Sequence, residues 1–282
     1  MRVVVFGGKT GWIGQKVVQL LHERHHEVCS PSVRMENREE VSRVLDESKA
    51  THVVIAAGKT GTPNVDWCEN HKQETIRANV IGTLTVCDVA ISKKMHVTNF
   101  ATGCIYTGQC YEGTGFSEMD EPNFEESFYS HSKVTCENMI KAAYNDNVLT
   151  LRLRMPISDD LHPRSFVTKI TSYEKVVDVP NSMTVLPELL PIAVDMMERC
   201  LTGIFNFCNP GVISHNEVLQ IYKEEVDSSF EWTNFTLEEQ RCILQAERSN
   251  NRLDVSKLLR LYPNIEPIHT AVRRAMRRIL SK

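Results

Sequence analysis

The 282-residue chain has no long apolar run, and nothing in it approaches the roughly 18 residues that a membrane span requires, so no membrane partner is expected. Charge of one sign is not in excess either. Lys and Arg number 32 against 36 Asp and Glu, for a formal charge of −4; interspersed in this way, they give no field that would hold nucleic acid. The nine cysteines are odd in number and scattered, with no Cys-x-x-Cys pair and no histidine at ligand spacing. They read as reduced thiols of a cytosolic protein without structural zinc. A first strand starting at Arg2 leaves no room for a leader, so a cytoplasmic location is expected and the sequon at Asn234 is expected to stay unglycosylated. Repeats and low-complexity linkers are missing too. The one basic run, Arg273, Arg274, Arg277 and Arg278, shares a C-terminal helix with Val272, Ala275, Met276 and Ile279 and reads as a solvated face.

What the chain does have is 41% hydrophobic residues, enough for a substantial core, arranged as strands and helices in alternation. A β-branched run over 2–6 passes directly into Gly8, Lys9, Thr10, Gly11, Trp12, Ile13 and Gly14, and a helix follows to about residue 24. Strand, G-x-x-G-x-x-G turn and helix in that order form a dinucleotide fingerprint, in which backbone amides at a helix start meet a pyrophosphate. A second strand, 26–29, lacks the acid that would hold the ribose hydroxyls of NAD. Arg34 follows instead and suits a 2′-phosphate, which favours NADPH and leaves NADH as the alternative. A third strand, 52–56, ends in Ala56, Ala57 and Gly58, small residues across which a cofactor would lie. A polar loop then opens a helical region reaching residue 92, with Asn79 inside it as a candidate for backbone hydrogen bonding beside the cofactor or for a plain cap.

The chemistry concentrates in residues 101–133. An apolar strand over 96–101 ends at Thr102 and Cys104, and the next helical pattern, 127–144, carries Tyr129 and Lys133 four residues apart on one face. An ammonium beside a phenol favours its ionisation, so this pair suits proton donation. Another buried strand, 148–153, completes an alternation that implies right-handed crossovers and a parallel sheet. The expected fold class is therefore α/β, a Rossmann-type doubly wound parallel sheet over 1–155, to which the chain returns near 188–210. Residues 156–282 read mainly as a smaller substrate-binding lobe of short elements, including 164–172, 176–179, 183–186 and helices over 236–247 and 256–261, with a strand over 203–207 returning to the sheet.

Thr102, Tyr129 and Lys133 behind a glycine-rich turn resemble the extended short-chain dehydrogenase/reductase superfamily. The blocks at 8–14, 63–69, 101–105, 155–158, 173–178, 209–211 and 248–251 narrow this: the chain resembles the bifunctional nucleotide-rhamnose synthase/epimerase-reductases over nearly its whole length. That resemblance implies inversion of C3 and C5 of UDP- or dTDP-4-keto-6-deoxy-glucose, then reduction of C4 by NADPH, here in a form without a preceding 4,6-dehydratase domain. Thr102 would orient the carbonyl, Tyr129 would donate the proton, and Lys133 would lower its pKa and hold the nicotinamide ribose.

One keto group acidifies the hydrogens on both neighbouring carbons, so a single site can invert and reduce. Inversion needs a further acid and base, and Cys104 and Lys169 are the candidates, with Lys175 as the runner-up for the lysine and the direction of transfer open. Arg248, with Asn250 or Asn251, is the candidate for the diphosphate, and Asn209 a further substrate contact; His215, at a helix start, fits the core better than a ligand. A single-function 4-keto-rhamnose reductase and a non-catalytic nucleotide-binding regulatory subunit are the alternatives. A homodimer through the 127–144 helix and its predecessor matches relatives, although helical faces buried within one chain read the same.

Overall fold

The computed structural model describes residues 1–62, 64–109 and 113–280; Pro63 of the 63–69 block and the ninth cysteine, Cys110, lie outside the described residues. In chain order come β1 (Arg2–Phe6), α1 (Trp12–Glu23), β2 (Glu27–Cys29), α2 (Arg38–Glu47) and β3 (His52–Ile55). After these run α3 (Trp67–Asn70), α4 (Lys72–Ile76), a π-helical segment (Arg77–Ile81), α5 (Gly82–Ser92), β4 (His96–Thr102), α6 (Phe128–Tyr144) and β5 (Val148–Leu153). The remainder holds α7 (Phe166–Thr171), β6 (Lys175–Val176), α8 (Leu186–Glu198), β7 (Gly203–Asn206), α9 (His215–Glu225), β8 (Thr233–Asn234), α10 (Leu237–Ile243), α11 (Ser256–Leu261) and α12 (Ile268–Leu280).

Six strands form one sheet in the order β2-β1-β3-β4-β5-β7, and β1 pairs in parallel with both β2 and β3, as β3 does with β4. The α/β fold of Rossmann type expected from the alternation is the fold observed. The chain leaves β1 in one direction for β2 and returns on its other side as β3, so the strand order reverses between β1 and β3. Open α/β sheets bind ligands beyond the carboxyl ends of the strands at such a reversal.

Two compact units share the chain: Met1–Ile105, Phe124–Leu151 and Leu190–Phe205 form the first, and Tyr106–Asn123, Arg152–Leu189 and Asn206–Lys282 the second. Each has its own core. In the first, Val4, Phe6, Val53, Ile55, Val97 and Val148 of the sheet pack with Val41 and Leu45 of α2 and Val86 of α5. In the second, Val167 and Ile170 of α7 pack with Val218 and Ile221 of α9 and Val272 and Met276 of α12. Three arginines of α12 are ion-paired within this unit: Arg273 and Arg277 meet Glu225 at 2.5 and 2.8 Å, and Arg274 meets Glu266.

Three elements differ from expectation. The helix α2 went unread although Asn37 caps it, accepting from the Glu40 N–H at 3.2 Å, and Val41, Val44 and Leu45 make a buried stripe. The helix α8 was concealed by Pro191 inside it. The helix expected over 236–247 stops at Ile243, because α10 buries none of its side chains and has no packing to extend it past two turns.

Candidate active site

At the reversal between β1 and β3 the chain is packed so closely that only glycine fits. Gly7, directly after β1, has φ +86°, and a Cβ there would lie 2.8 Å from the Ala56 carbonyl carbon at the end of β3. Gly11 and Gly14 both pass over the Gly7 carbonyl oxygen, where their Cβ atoms would lie at 2.6 and 2.2 Å. A Cβ on Gly8 would meet Ser30 Oγ at 2.5 Å. Counting glycines at the motif spacing missed Gly7; the Gly7-Gly8 doublet at a strand end was the available signal. Lys9 Nζ donates to Ser32 Oγ at 3.0 Å, which ties the turn to the loop that carries the exposed Arg34. The cradle has the tight turn, the open backbone and the basic flank that a phosphorylated dinucleotide needs. Trp12 and Ile13 begin α1, while Thr10 is exposed on the turn and Ala57 and Gly58 continue the chain past β3.

Asn79 does hydrogen-bond backbone, and it does so from the π-helical segment. Its Oδ1 accepts from the Lys59 N–H at 2.7 Å and its Nδ2 donates to the Lys59 carbonyl at 2.9 Å and to Ser132 Oγ at 3.2 Å. The wider π turn aims this buried amide at the loop after β3. Lys59 Nζ also lies 5.5 Å from the centre of the Trp67 ring.

Thr102 closes β4 and is 6% exposed. Its Oγ1 accepts the Cys104 N–H at 3.1 Å, which leaves the hydroxyl proton to point elsewhere. Cys104 is half-buried, and its carbonyl accepts from Ser130 Oγ at 2.6 Å. Ser127 caps α6 by accepting the Ser130 N–H at 3.1 Å, and Glu69 Oε1 accepts the Phe128 N–H at 2.7 Å. The first turn of α6, which carries Tyr129, is therefore held at its orphan amides by a cap and by an anion suited to the helix dipole. Tyr129 and Lys133 are both half-buried. Ser130 had no motif to mark it, and the 63–69 block that ends at Glu69 gave no sign of its place at the start of α6.

In the second unit Lys169 lies on α7, half-buried, and its amine pKa is lowered by burial and by the neighbouring Arg164 charge. Lys175 is exposed. Arg248 is half-buried with one guanidinium nitrogen on the Ala246 carbonyl at 2.8 Å. Two candidates for substrate contact, Asn209 and Asn251, are buried. Asn209 is fully buried; its Oδ1 accepts from the Val185 N–H at 2.9 Å and its Nδ2 donates to Glu188 at 2.5 Å and to the Glu266 carbonyl at 3.2 Å. Asn251 is 3% exposed, and its Nδ2 donates to the Tyr106 carbonyl at 2.8 Å and to Ser249 Oγ at 3.0 Å. Arg154 joins this layer, donating to Asn181 Oδ1 and, at 2.8 Å, to Ser249 Oγ. His215 is a core residue edge-on to Phe166 at 5.1 Å, and burial lowers its pKa to about 4.

A groove of about 520 Å³ beside α9 and α12, lined by Trp232, Gln220 and His269 among others, touches none of the candidate residues. Its Glu217–His269 ion pair and its indole N–H, committed to Asn216 at 2.8 Å, leave it without a group of the reaction.

With a glycine cradle at the strand reversal and a threonine, a tyrosine and a lysine carried on β4 and α6, the class is that of the short-chain dehydrogenases/reductases. Within it, the chain belongs to the family described as the RmlD substrate binding domain, whose model matches residues 1–182. It is 51% identical over 266 residues to a bifunctional dTDP-4-dehydrorhamnose 3,5-epimerase/dTDP-4-dehydrorhamnose reductase of Arabidopsis thaliana, covering 93% of this chain and 88% of that one. It is also 51% identical to a trifunctional UDP-glucose 4,6-dehydratase/UDP-4-keto-6-deoxy-D-glucose 3,5-epimerase/UDP-4-keto-L-rhamnose-reductase of the same plant, covering 92% of this chain and 39% of the longer one. Among solved structures, the UDP-rhamnose synthase of Acanthamoeba polyphaga mimivirus matches with a TM-score of 0.94 at 36% identity over 98% of both chains.

Proposed function

We propose that the chain is an NADPH-dependent, bifunctional 3,5-epimerase/4-keto-reductase that converts UDP- or dTDP-linked 4-keto-6-deoxy-glucose to the nucleotide-linked L-rhamnose. The observation that carries this reading is Cys104 standing two residues beyond Thr102 with its backbone bonded to Thr102 and to Ser130, the neighbour of Tyr129. A thiol so placed joins the epimerisation chemistry to the reductase set. The relatives named above, which carry both activities in their names, support it.

The first unit would hold NADPH, with Gly8, Lys9, Thr10, Gly11, Trp12, Ile13 and Gly14 against the pyrophosphate, Arg34 at the 2′-phosphate, Ala56, Ala57 and Gly58 beneath, and Tyr129 and Lys133 at the nicotinamide ribose. When bound, NADPH supplies the hydride that C4 accepts. Thr102 orients the 4-keto oxygen through its uncommitted proton, and Tyr129 gives that oxygen its proton as C4 is reduced. The same polarised ketone makes the C3 and C5 hydrogens acidic. Cys104 and Lys169 exchange protons with those carbons, and the half-buried Lys169, with its lowered pKa, suits the base better than the exposed Lys175. Arg248 of the second unit takes the diphosphate. The protein works in the cytoplasm as a homodimer, an assembly supported by the apolar side chains of Ile76, Ile81 and Met139, which α4, the π segment and α6 leave exposed.

Incubating the pure protein with UDP-4-keto-6-deoxy-glucose and NADPH tests the reading. L-rhamnose product without an added epimerase is expected. Reduction only of the already inverted ketone would establish the single-function reductase, and an inert protein the regulatory subunit.

A further inference from the structure

Cys104 and Tyr129 lie on different elements, and one buried hydroxyl connects them. Ser130 Oγ donates to the Cys104 carbonyl at 2.6 Å and accepts from Ser127 Oγ at 2.9 Å. Ser130 is 1% exposed and Ser127 2%, so bulk water does not compete for either bond. With the Cys104 N–H on Thr102 Oγ1, both backbone polar groups of the cysteine are fixed, one by its own strand end and one by the helix of the tyrosine.

Tyr129 is carried by a helix whose first turn has two further supports, the Ser127 cap and the Glu69 carboxylate, and its carbonyl accepts from Ser132 Oγ at 2.7 Å. Cys104 lies beyond the end of β4, and Ser130 holds its carbonyl from outside that strand end. Removing the Ser130 hydroxyl takes away the acceptor of the Ser127 hydroxyl but leaves the cap bond itself, which uses the Ser130 N–H. It therefore loosens the thiol and spares the phenol.

We propose that Ser130 is a positioning residue that holds the Cys104 thiol in register with Tyr129 and so couples inversion at C3 and C5 to reduction at C4. This deepens the function proposed above and rests on it. Proton transfer from carbon needs the reacting atoms within about 3–3.5 Å, so a small displacement of the thiol costs inversion, while hydride transfer to an already inverted ketone does not depend on it.

Two rates on Ser130→Ala decide the matter: deuterium uptake from solvent at C3 and C5 of UDP-4-keto-6-deoxy-glucose, and NADPH oxidation with UDP-4-keto-L-rhamnose. Uptake is expected to fall about tenfold, the worth of one buried hydrogen bond, while oxidation stays within about threefold. Equal losses in both rates, or unchanged uptake, would overturn the proposal. Should the alanine variant be too unstable, Ser130→Cys keeps the side-chain size, weakens the donor and is read by the same ratio. Failure of the functional reading looks different: wild-type protein would then oxidise NADPH without taking up deuterium.

Discussion

A methyl group on Gly14 would sit 2.2 Å from the Gly7 carbonyl oxygen, a backbone atom that cannot swing aside. Gly14→Ala is therefore expected to destabilise the fold by about 1–3 kcal/mol and to abolish dinucleotide binding, read by thermal unfolding with and without NADPH. Tyr129→Phe removes one oxygen from a half-buried side chain. It should lower kcat with the inverted ketone by about 10²–10⁴ while NADPH still binds, and near-wild-type turnover would remove the phenol from the mechanism. At this scale the sequence was legible where chemistry imposes a spacing, as for Gly8, Gly11, Gly14, Tyr129 and Lys133. It said least where a polar residue type suits either a ligand or the scaffold: the burial and hydrogen bonds of Asn209 and Asn251 are visible only in the structure.

Among the elements, α6 carries the most consequence, because its first turn holds Tyr129 and reaches Cys104. Ser127 is its N-cap, so Ser127→Ala is expected to cost about 1 kcal/mol, seen as a lower midpoint in denaturant with an unchanged slope. This helix, β1, β5 and α11 were readable from local pattern. The strand β5, Val148–Leu153, is buried at all six positions, and Val148, Leu149, Leu151 and Leu153 mark it although Thr150 and Arg152 interrupt the apolar run. The π-helical segment Arg77–Ile81 was not readable, since no local propensity distinguishes it from the α-helices on either side; the bonds Asn79 makes to Lys59 and Ser132 accompany it.

For the whole molecule, two histidines with lowered pKa contribute to the response to acid. His52 in the first unit has its pKa lowered to about 4 by burial first and then by the nearby His96, and His215 in the second is lowered to about 4 by burial. Unfolding returns each to about 6.5, so below that pH the unfolded chain takes up protons that the folded chain refuses. The stability due to neutral histidines is complete above pH 6.5, declines as pH falls toward 4, and levels off below it. Thermal midpoints should fall across that window, and His52→Gln should flatten the slope; a midpoint constant from pH 7 to 4 would contradict the assignment.

The sequence by itself determined the parallel α/β fold, the glycine turn after β1, the tyrosine and lysine on one helical face and the family, because each follows from residue type at a fixed short spacing. Local pattern sets strands, turns and helix faces directly. Only the tertiary structure decided which residues far apart in the chain meet: Gly7 against Ala56, Asn79 on Lys59 and Ser132, Glu69 on the start of α6, and Ser130 on the carbonyl of Cys104. These contacts depend on how strand ends and helix starts are brought together by the sheet order, and no spacing along the chain encodes that order.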